Sequence, residues 1–186
     1  MFNQSNFQKN LAFGQQAETE IAKWMMKRGH LILPVYDIEY ETGKGPRVFA
    51  KDAQYVAPDL LVLKNGNGLD VLWIEAKHKT VFTWHRITEK WTTGIDRHHY
   101  HSYIALQDRI PIPIWLLFLH KSKTPDIRDL KAGCPSECPV GLFGERLVTL
   151  KQCPNHEHPN WGKHGMVYWN YKSLKLLAPL EELVGK

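Results

Sequence analysis

Long hydrophobic runs are missing from this sequence of 186 residues. The longest, residues 110–119, contains Pro111 and Pro113 and falls well short of the roughly 20 apolar residues a bilayer-crossing helix needs. The opening MFNQSNFQKN is rich in polar amides. It has no charged start, apolar run or small-residue cleavage site of the kind a secretory signal carries, so a cytoplasmic location without a membrane partner is expected. Cysteine is scarce, and its 3 copies cannot all pair within the chain, which favours thiols or metal ligands over a disulfide framework. Three motifs are absent: the Gly-x-x-x-x-Gly-Lys-Ser/Thr phosphate loop, the His-Glu-x-x-His zinc helix and the Gly-x-Ser-x-Gly elbow. The corresponding nucleotide-binding and hydrolytic classes have no support. Internal repeats and low-complexity tracts are also absent.

What is present describes a folded chain. Apolar residues make up 43% and charged residues 23%, with 7 Trp, a composition unlike that of a disordered segment. The length suits a single domain with a proper core. The net charge of +5 biases the surface mildly towards polyanions without deciding anything alone.

Apolar or small residues at Leu11, Gly14, Ile21, Ala22 and Met25 form the stripe of an amphipathic helix stopped by Gly29. Glu18 lies on that stripe, facing inward, whereas Glu20 shares the outer face with Lys23 and Lys27. Residues 30–39 read as an extended run that Pro34 places at an edge. A basic loop follows around a short strand at 47–50. Residues 58–63 and 69–79 flank an Asn-Gly-rich turn, the strongest hairpin signal in the chain. From Thr83 the pattern predicts a helix through Trp84, Trp91 and 97–101, ending before Pro111. Residues 114–120 are apolar on both faces and predict a strand covered on both sides. Residues 166–169 predict another strand, and 174–183 a terminal helix broken at Pro179. The fold class expected is α/β, a single domain with its core over about 5–123 and 166–186. A Cys/His-rich, loop-like insertion over about 124–165 is expected to interrupt it.

Chemistry concentrates on the second hairpin strand. Glu75 and Lys77 are two positions apart and share one strand face, while Ile74 and Ala76 share the other. Asp59 begins the facing strand, so the turn folds its carboxylate back towards Glu75. Two close carboxylates with few soft ligands favour a hard cation such as Mg²⁺ (or Mn²⁺). An adjacent ammonium can hold an attacking water and offset charge growing on a phosphodiester.

Pro58-Asp59 followed by Glu75-Ala76-Lys77 behind an apolar strand resembles the PD-(D/E)xK nuclease superfamily, which includes Holliday-junction resolvases and restriction endonucleases. Gly14 to Glu18 matches the Gly-x-x-x-Glu pattern often found on a preceding helix in that superfamily. The resemblance covers about the first two-thirds of the chain. It implies a restriction-endonuclease-like core of helix, three strands, helix and strand, with a central mixed sheet. It also implies metal binding by Asp59, Glu75 and the Ala76 carbonyl, with Lys77 at the water and Glu18 in support. In the branch similar to RecB-type nucleases a Gln-x-x-x-Tyr follows on the next helix; here His99 and Tyr103 stand at that spacing.

Lys44, Arg47, Lys51, Lys79, Arg86, Lys90 and Arg97 are the candidate contacts to a nucleic-acid backbone, interleaved with Trp84 and Trp91. Cys134, Cys138 and Cys153 with His156 would complete a tetrahedral structural zinc site, His158 and His164 competing for the fourth place. The expected activity is metal-dependent DNA endonuclease cleavage, and a junction substrate would call for a homodimer. RNA cleavage is not excluded. The competing expectation is a DNA-binding or assembly module on the same fold without catalysis.

Overall fold

The computed structural model describes residues 4–35, 45–64, 70–153, 155–160 and 164–183, with side chains of the first helix described from Gln15 onward. In chain order the elements are α1 (Gln4–Lys27), β1 (Leu31–Pro34), β2 (Arg47–Phe49), β3 (Gln54–Val56), β4 (Leu60–Lys64), β5 (Asp70–Lys79), β6 (Thr83–His85) and β7 (Lys90–Asp96). There follow α2 (Arg97–Gln107), β8 (Ile114–His120), α3 (Ile127–Leu130), β9 (Gly141–Arg146), α4 (Leu147–Gln152), β10 (Asn155–His158), β11 (Met166–Asn170), β12 (Lys175–Ala178) and α5 (Leu180–Leu183).

A central mixed sheet runs in the order β1-β4-β5-β8-β9-β12. Only the β5–β8 pairing in it is parallel. A parallel pair needs a crossover, and α2 supplies it. Gly29, at a φ of 83°, ends α1 in the left-handed conformation that glycine adopts without strain. One sheet face buries Leu60, Val62, Leu72, Ile74 and Ala76 against Ala17, Ile21 and Trp24 of α1 and Leu183 of α5. The other face presents Ile114, Leu116, Phe118 and Phe143 to Tyr103 and Leu106 of α2 and to Leu147 and Leu150 of α4. A second, antiparallel sheet in the order β10-β11-β7-β6 joins this layer through Trp91, Ile95, Val167 and Trp169. With β2–β3 and β6–β7 set aside in their own sheets, the remaining order of helix, β1, β4, β5, helix and β8 is the one that the nuclease resemblance implied.

Several expectations need correction. Residues 83–96 form the β6–β7 hairpin, and the helix begins only at Arg97. Thr83, Trp84, Trp91, Thr92, Thr93 and Ile95 are β-branched or aromatic, and two-sided burial along β7 satisfies them better than a helix would. The stretch 124–165 is not a loop-like insertion throughout: β9 pairs with β8 inside the central sheet, and α4 packs on it. Gly141 and Gly144 interrupt the strand pattern of β9, yet a side chain at Gly144 would meet Leu117 Cδ2 at 2.3 Å; close packing needs the gap that hid the strand. Residues 175–178 form strand β12 on β9, so the terminal helix occupies only the segment after Pro179. Glu20 does not point freely to water but pairs with Lys121 at 2.6 Å. Among the described residues no helix is long and apolar enough to cross a membrane.

Candidate active site

The β4–β5 hairpin builds the site. Leu60 lies opposite Ile74, which sets Asp59, one residue earlier, beside Glu75. The Asp59 carboxylate accepts a hydrogen bond from the Ala76 amide (Oδ2, 2.8 Å), tying the acid to the strand that carries the other two groups. Glu75 is 1% exposed. One of its oxygens, Oε1, ion-pairs with the Lys77 ammonium; the other, Oε2, accepts a hydrogen bond from the Tyr103 hydroxyl at 2.5 Å. His99, one helical turn before Tyr103 on α2, places Nδ1 4.0 Å from Glu75 Oε1. Glu18, half-buried on α1, is near enough for its charge to act on Lys77.

The electrostatics follow from crowding like charges in a poorly hydrated place. Burial, followed by the Glu75 charge, raises the Asp59 carboxyl to about 7, against the opposing pull of Lys77 and the Ala76 amide. Burial disfavours the Lys77 ammonium, but Glu75, Asp59 and Glu18 outweigh it and hold the group above the usual lysine range. Tyr103 is pushed well above its ordinary value, first by burial and then by Glu75 and Asp59, so it remains a hydroxyl donor. Burial, with Lys77 next, lowers His99 to about 4, leaving its imidazole neutral near pH 7. Among the described residues no three His, Cys, Asp or Glu side chains converge here; the donors are two carboxylates and the Ala76 carbonyl, a set that suits a hard divalent cation keeping several waters, and such an ion would offset the burial and the Glu75 charge that lift Asp59.

Thus Glu18, Asp59, Glu75, Ala76 and Lys77 come together. Tyr103 joins them through its hydrogen bond to Glu75, and His99 stands beside them with no hydrogen bond to its Nδ1; their four-residue spacing after the Glu-x-Lys strand was the available signal. Of the candidate nucleic-acid contacts, Lys79 shares the Glu75–Lys77 strand face and is lowered to about 8 by burial and the Lys77 charge. Arg47 is close enough for its charge to act on His99. Arg97 opens α2 and lies 3.7 Å from Glu157. Lys51 is exposed between β2 and β3, while Arg86 and Lys90 sit at the β6–β7 turn. Lys44 falls outside the described residues.

The expected zinc set does not assemble. Among the described residues no three His, Cys, Asp or Glu side chains converge to hold a metal. Cys134 and Cys138 are buried in the apolar core. Burial raises both thiols. The Cys138 thiol donates to the Ser122 carbonyl at 3.1 Å. Cys153 is packed at the edge of that core, and His156 stacks against His85 at 4.1 Å and Tyr168 at 5.2 Å. Apolar packing fastens this segment, helped by Asp129, whose carboxylate accepts from the Trp84 amide at 3.1 Å.

The fold and site define a mixed α/β architecture with an acid–acid–lysine cluster on a central hairpin. The chain is similar in structure to Hjc, a Holliday junction resolvase from the archaeal hyperthermophile Archaeoglobus fulgidus, at 9% identity and a TM-score of 0.48. That likeness covers 88% of this chain and 91% of the other. No family model matches the sequence, and no curated protein matches it.

Proposed function

We propose that this protein is a divalent-metal-dependent DNA endonuclease that hydrolyses phosphodiester bonds with Asp59, Glu75 and Lys77. The observation that carries the reading is the convergence of these three side chains on paired strands, with Asp59 raised to about 7 by burial and its acidic neighbour. A second carboxylate pressed against the first is the arrangement that a divalent cation between them would stabilise.

Asp59, Glu75 and the Ala76 carbonyl would hold Mg²⁺ or Mn²⁺. The bound ion would supply a Lewis acid and a more acidic water. The remaining work belongs to the chain. Tyr103 fixes the Glu75 carboxylate by donating to Oε2. Lys77 remains an ammonium, so it can hold a water by hydrogen bonding and stabilise negative charge on a phosphoryl oxygen. Glu18 adds to the field that keeps Lys77 protonated. DNA is the proposed partner, with its backbone gripped by Arg47, Lys79 and Arg97.

The test incubates purified protein with labelled duplex, single-stranded and four-way-junction DNA in Mg²⁺, Mn²⁺ or EDTA, alongside Lys77→Ala. Metal-dependent cleavage that Lys77→Ala abolishes is the expected result. Wild-type cleavage by Lys77→Ala, or none on any substrate, overturns it.

A further inference from the structure

The β2–β3 hairpin is a short arm tied down at both ends. At its base Arg47 pairs with Val56, whose amide donates to Ser102 Oγ on α2 at 2.7 Å. Ser102 stands three positions after His99 and one before Tyr103, so this bond fixes the arm to the helix turn that faces Glu75. At the tip, the Asp52 carboxylate accepts two hydrogen bonds from the Arg109 guanidinium, both at 2.7 Å. Between these ties the strands alternate. Val48 and Tyr55 pack into the core, while Arg47, Phe49 and Gln54 share the opposite face, Phe49 directly across from Gln54. That face begins beside the candidate active site, where the Arg47 charge acts on His99, and opens to solvent at Phe49, which is 76% exposed. A lone exposed apolar residue is ordinary. Phe49 is set apart by its company: a rigid arm, an amide across from it, and a cation on either side, Arg47 before it and exposed Lys51 after it.

We propose that Phe49 is a stacking platform for an unpaired base of the substrate, with Gln54 at the base edge and Arg47 and Lys51 on the flanking phosphates. The assignment rests on the nuclease reading and adds a substrate class to it: DNA with at least one base outside the duplex near the cleaved bond. The ring stands one strand repeat, about 6.6 Å, beyond Arg47, so a phosphate gripped there leaves its own base within reach of the ring. A base inside a duplex is covered on both faces by its neighbours and has no face to offer. Cations alternating with an aromatic ring are the pattern of single-strand grooves, where phosphates meet charge and bases meet a π face. Gln54 carries both a donor and an acceptor, which suits any base edge. A second copy of this chain fits less well, because a two-fold contact would bring the Arg47 and Lys51 of both copies together around the rings.

The experiment measures binding by the full chain in EDTA, so that cleavage is off, to three labelled probes: a single-stranded oligonucleotide, an abasic strand of the same length, and a blunt duplex. Wild type should bind the base-bearing strand about tenfold more tightly than the abasic one. Phe49→Ala should erase that preference and leave the slope of affinity against salt unchanged, while Phe49→Trp should keep the preference. The indole introduced by Phe49→Trp should be quenched by the base-bearing strand and not by the abasic strand or the duplex. Arg47→Gln should weaken both strands alike and reduce the salt slope by about one phosphate contact.

A Phe49→Ala protein that keeps the preference, or that weakens the base-bearing and abasic strands equally, overturns the platform. So does a change from dimer to monomer on sedimentation of Phe49→Ala with oligonucleotide affinity intact, which assigns the ring to a second copy. If Lys77→Ala abolishes metal-dependent cleavage while Phe49→Ala binds like wild type, the nuclease reading survives and the platform falls. If Phe49→Ala erases the preference but Lys77→Ala cleaves like wild type, the nuclease reading falls, and the platform's place beside a cleaved bond falls with it.

Discussion

Lys77 is held as an ammonium by three acids, and Glu75 is oriented by a tyrosine that sits on another element. Removing the two groups should therefore have different effects. On the proposed mechanism Lys77→Ala deletes charge that would stabilise the transition state, and cleavage should fall by about 10²–10³ in kcat. Tyr103→Phe leaves every charge in place but frees Glu75 Oε2. It should cost about 1.5–3 kcal/mol of stability, as expected for a lost hydrogen bond to a charged group, and reduce kcat less than Lys77→Ala does. Single-turnover cleavage and urea unfolding of both variants check the order; equal kcat losses would mean that Tyr103 does more than position.

A second residue-scale prediction concerns His120, which is fully buried and stacked on Phe82 at 3.6 Å. Burial, with Lys79 next, depresses it to about 3 from the ordinary 6.5. The facing groups are Lys79, its partner in the β5–β8 register, and His78. Because the folded value lies below the unfolded one, the unfolded chain takes the proton first as pH drops. The His120 contribution should therefore be retained above about 6.5 and lost between about 6.5 and 3, at up to about 1.4 kcal/mol per pH unit. Asp59, raised to about 7, acts in the opposite direction over that range and His99, lowered to about 4, in the same one, so the effect is read as the difference between wild type and variant. His120→Leu should flatten that acid limb in urea melts; an unchanged limb would assign it to other groups.

At the scale of elements, the parts legible in the sequence were those whose pattern agrees with their tertiary surroundings. The hairpin alternates around a turn, β8 is apolar on both faces because both are covered, and α1 carries its stripe to a glycine stop. The acid–lysine cluster was legible for the same reason, since strand period and hairpin pairing place Asp59, Glu75 and Lys77 without knowledge of the rest. The second sheet was not legible. Its strands pair across long separations, β7 with β11, and no local pattern encodes that partner. The leucines of 174–183 could likewise serve a strand or a helix, and the free edge of β9 decided for a strand. Gly94 shows how tightly the remote pairing is made: a Cβ there would stand 2.0 Å from the Val167 carbonyl oxygen. Gly94→Ala must push β7 from β11, and should destabilise by about 1–3 kcal/mol. Because β7 leads directly into α2, it should also loosen His99 and Tyr103. A thermal melt matching wild type would show that the two strands are not so closely packed in solution.

For the molecule as a whole, the consequence of pressing Asp59 against Glu75 is that folding brings together charges that repel each other in the absence of a cation. A divalent ion that binds only the folded chain must stabilise it by mass action, by about 1.4 kcal/mol at tenfold over its Kd. For a chain of this size that corresponds to a rise in Tm of roughly 3–6 °C. Mg²⁺ or Mn²⁺ should therefore raise Tm in the absence of any DNA, and EDTA should reverse it. In Asp59→Asn the repulsion is gone along with one ligand, so the metal-free protein should melt no lower than wild type and the metal-induced rise should vanish. Asp59→Ala completes the test, because Asn keeps an oxygen that accepts from the Ala76 amide and Ala does not: a residue holding the fold through that bond would lower Tm in Asp59→Ala, with and without metal alike, and leave Asp59→Asn unchanged. A Tm that ignores both ions in the wild type would remove the cation from this hairpin and leave Asp59, Glu75 and Lys77 as a buried charge network.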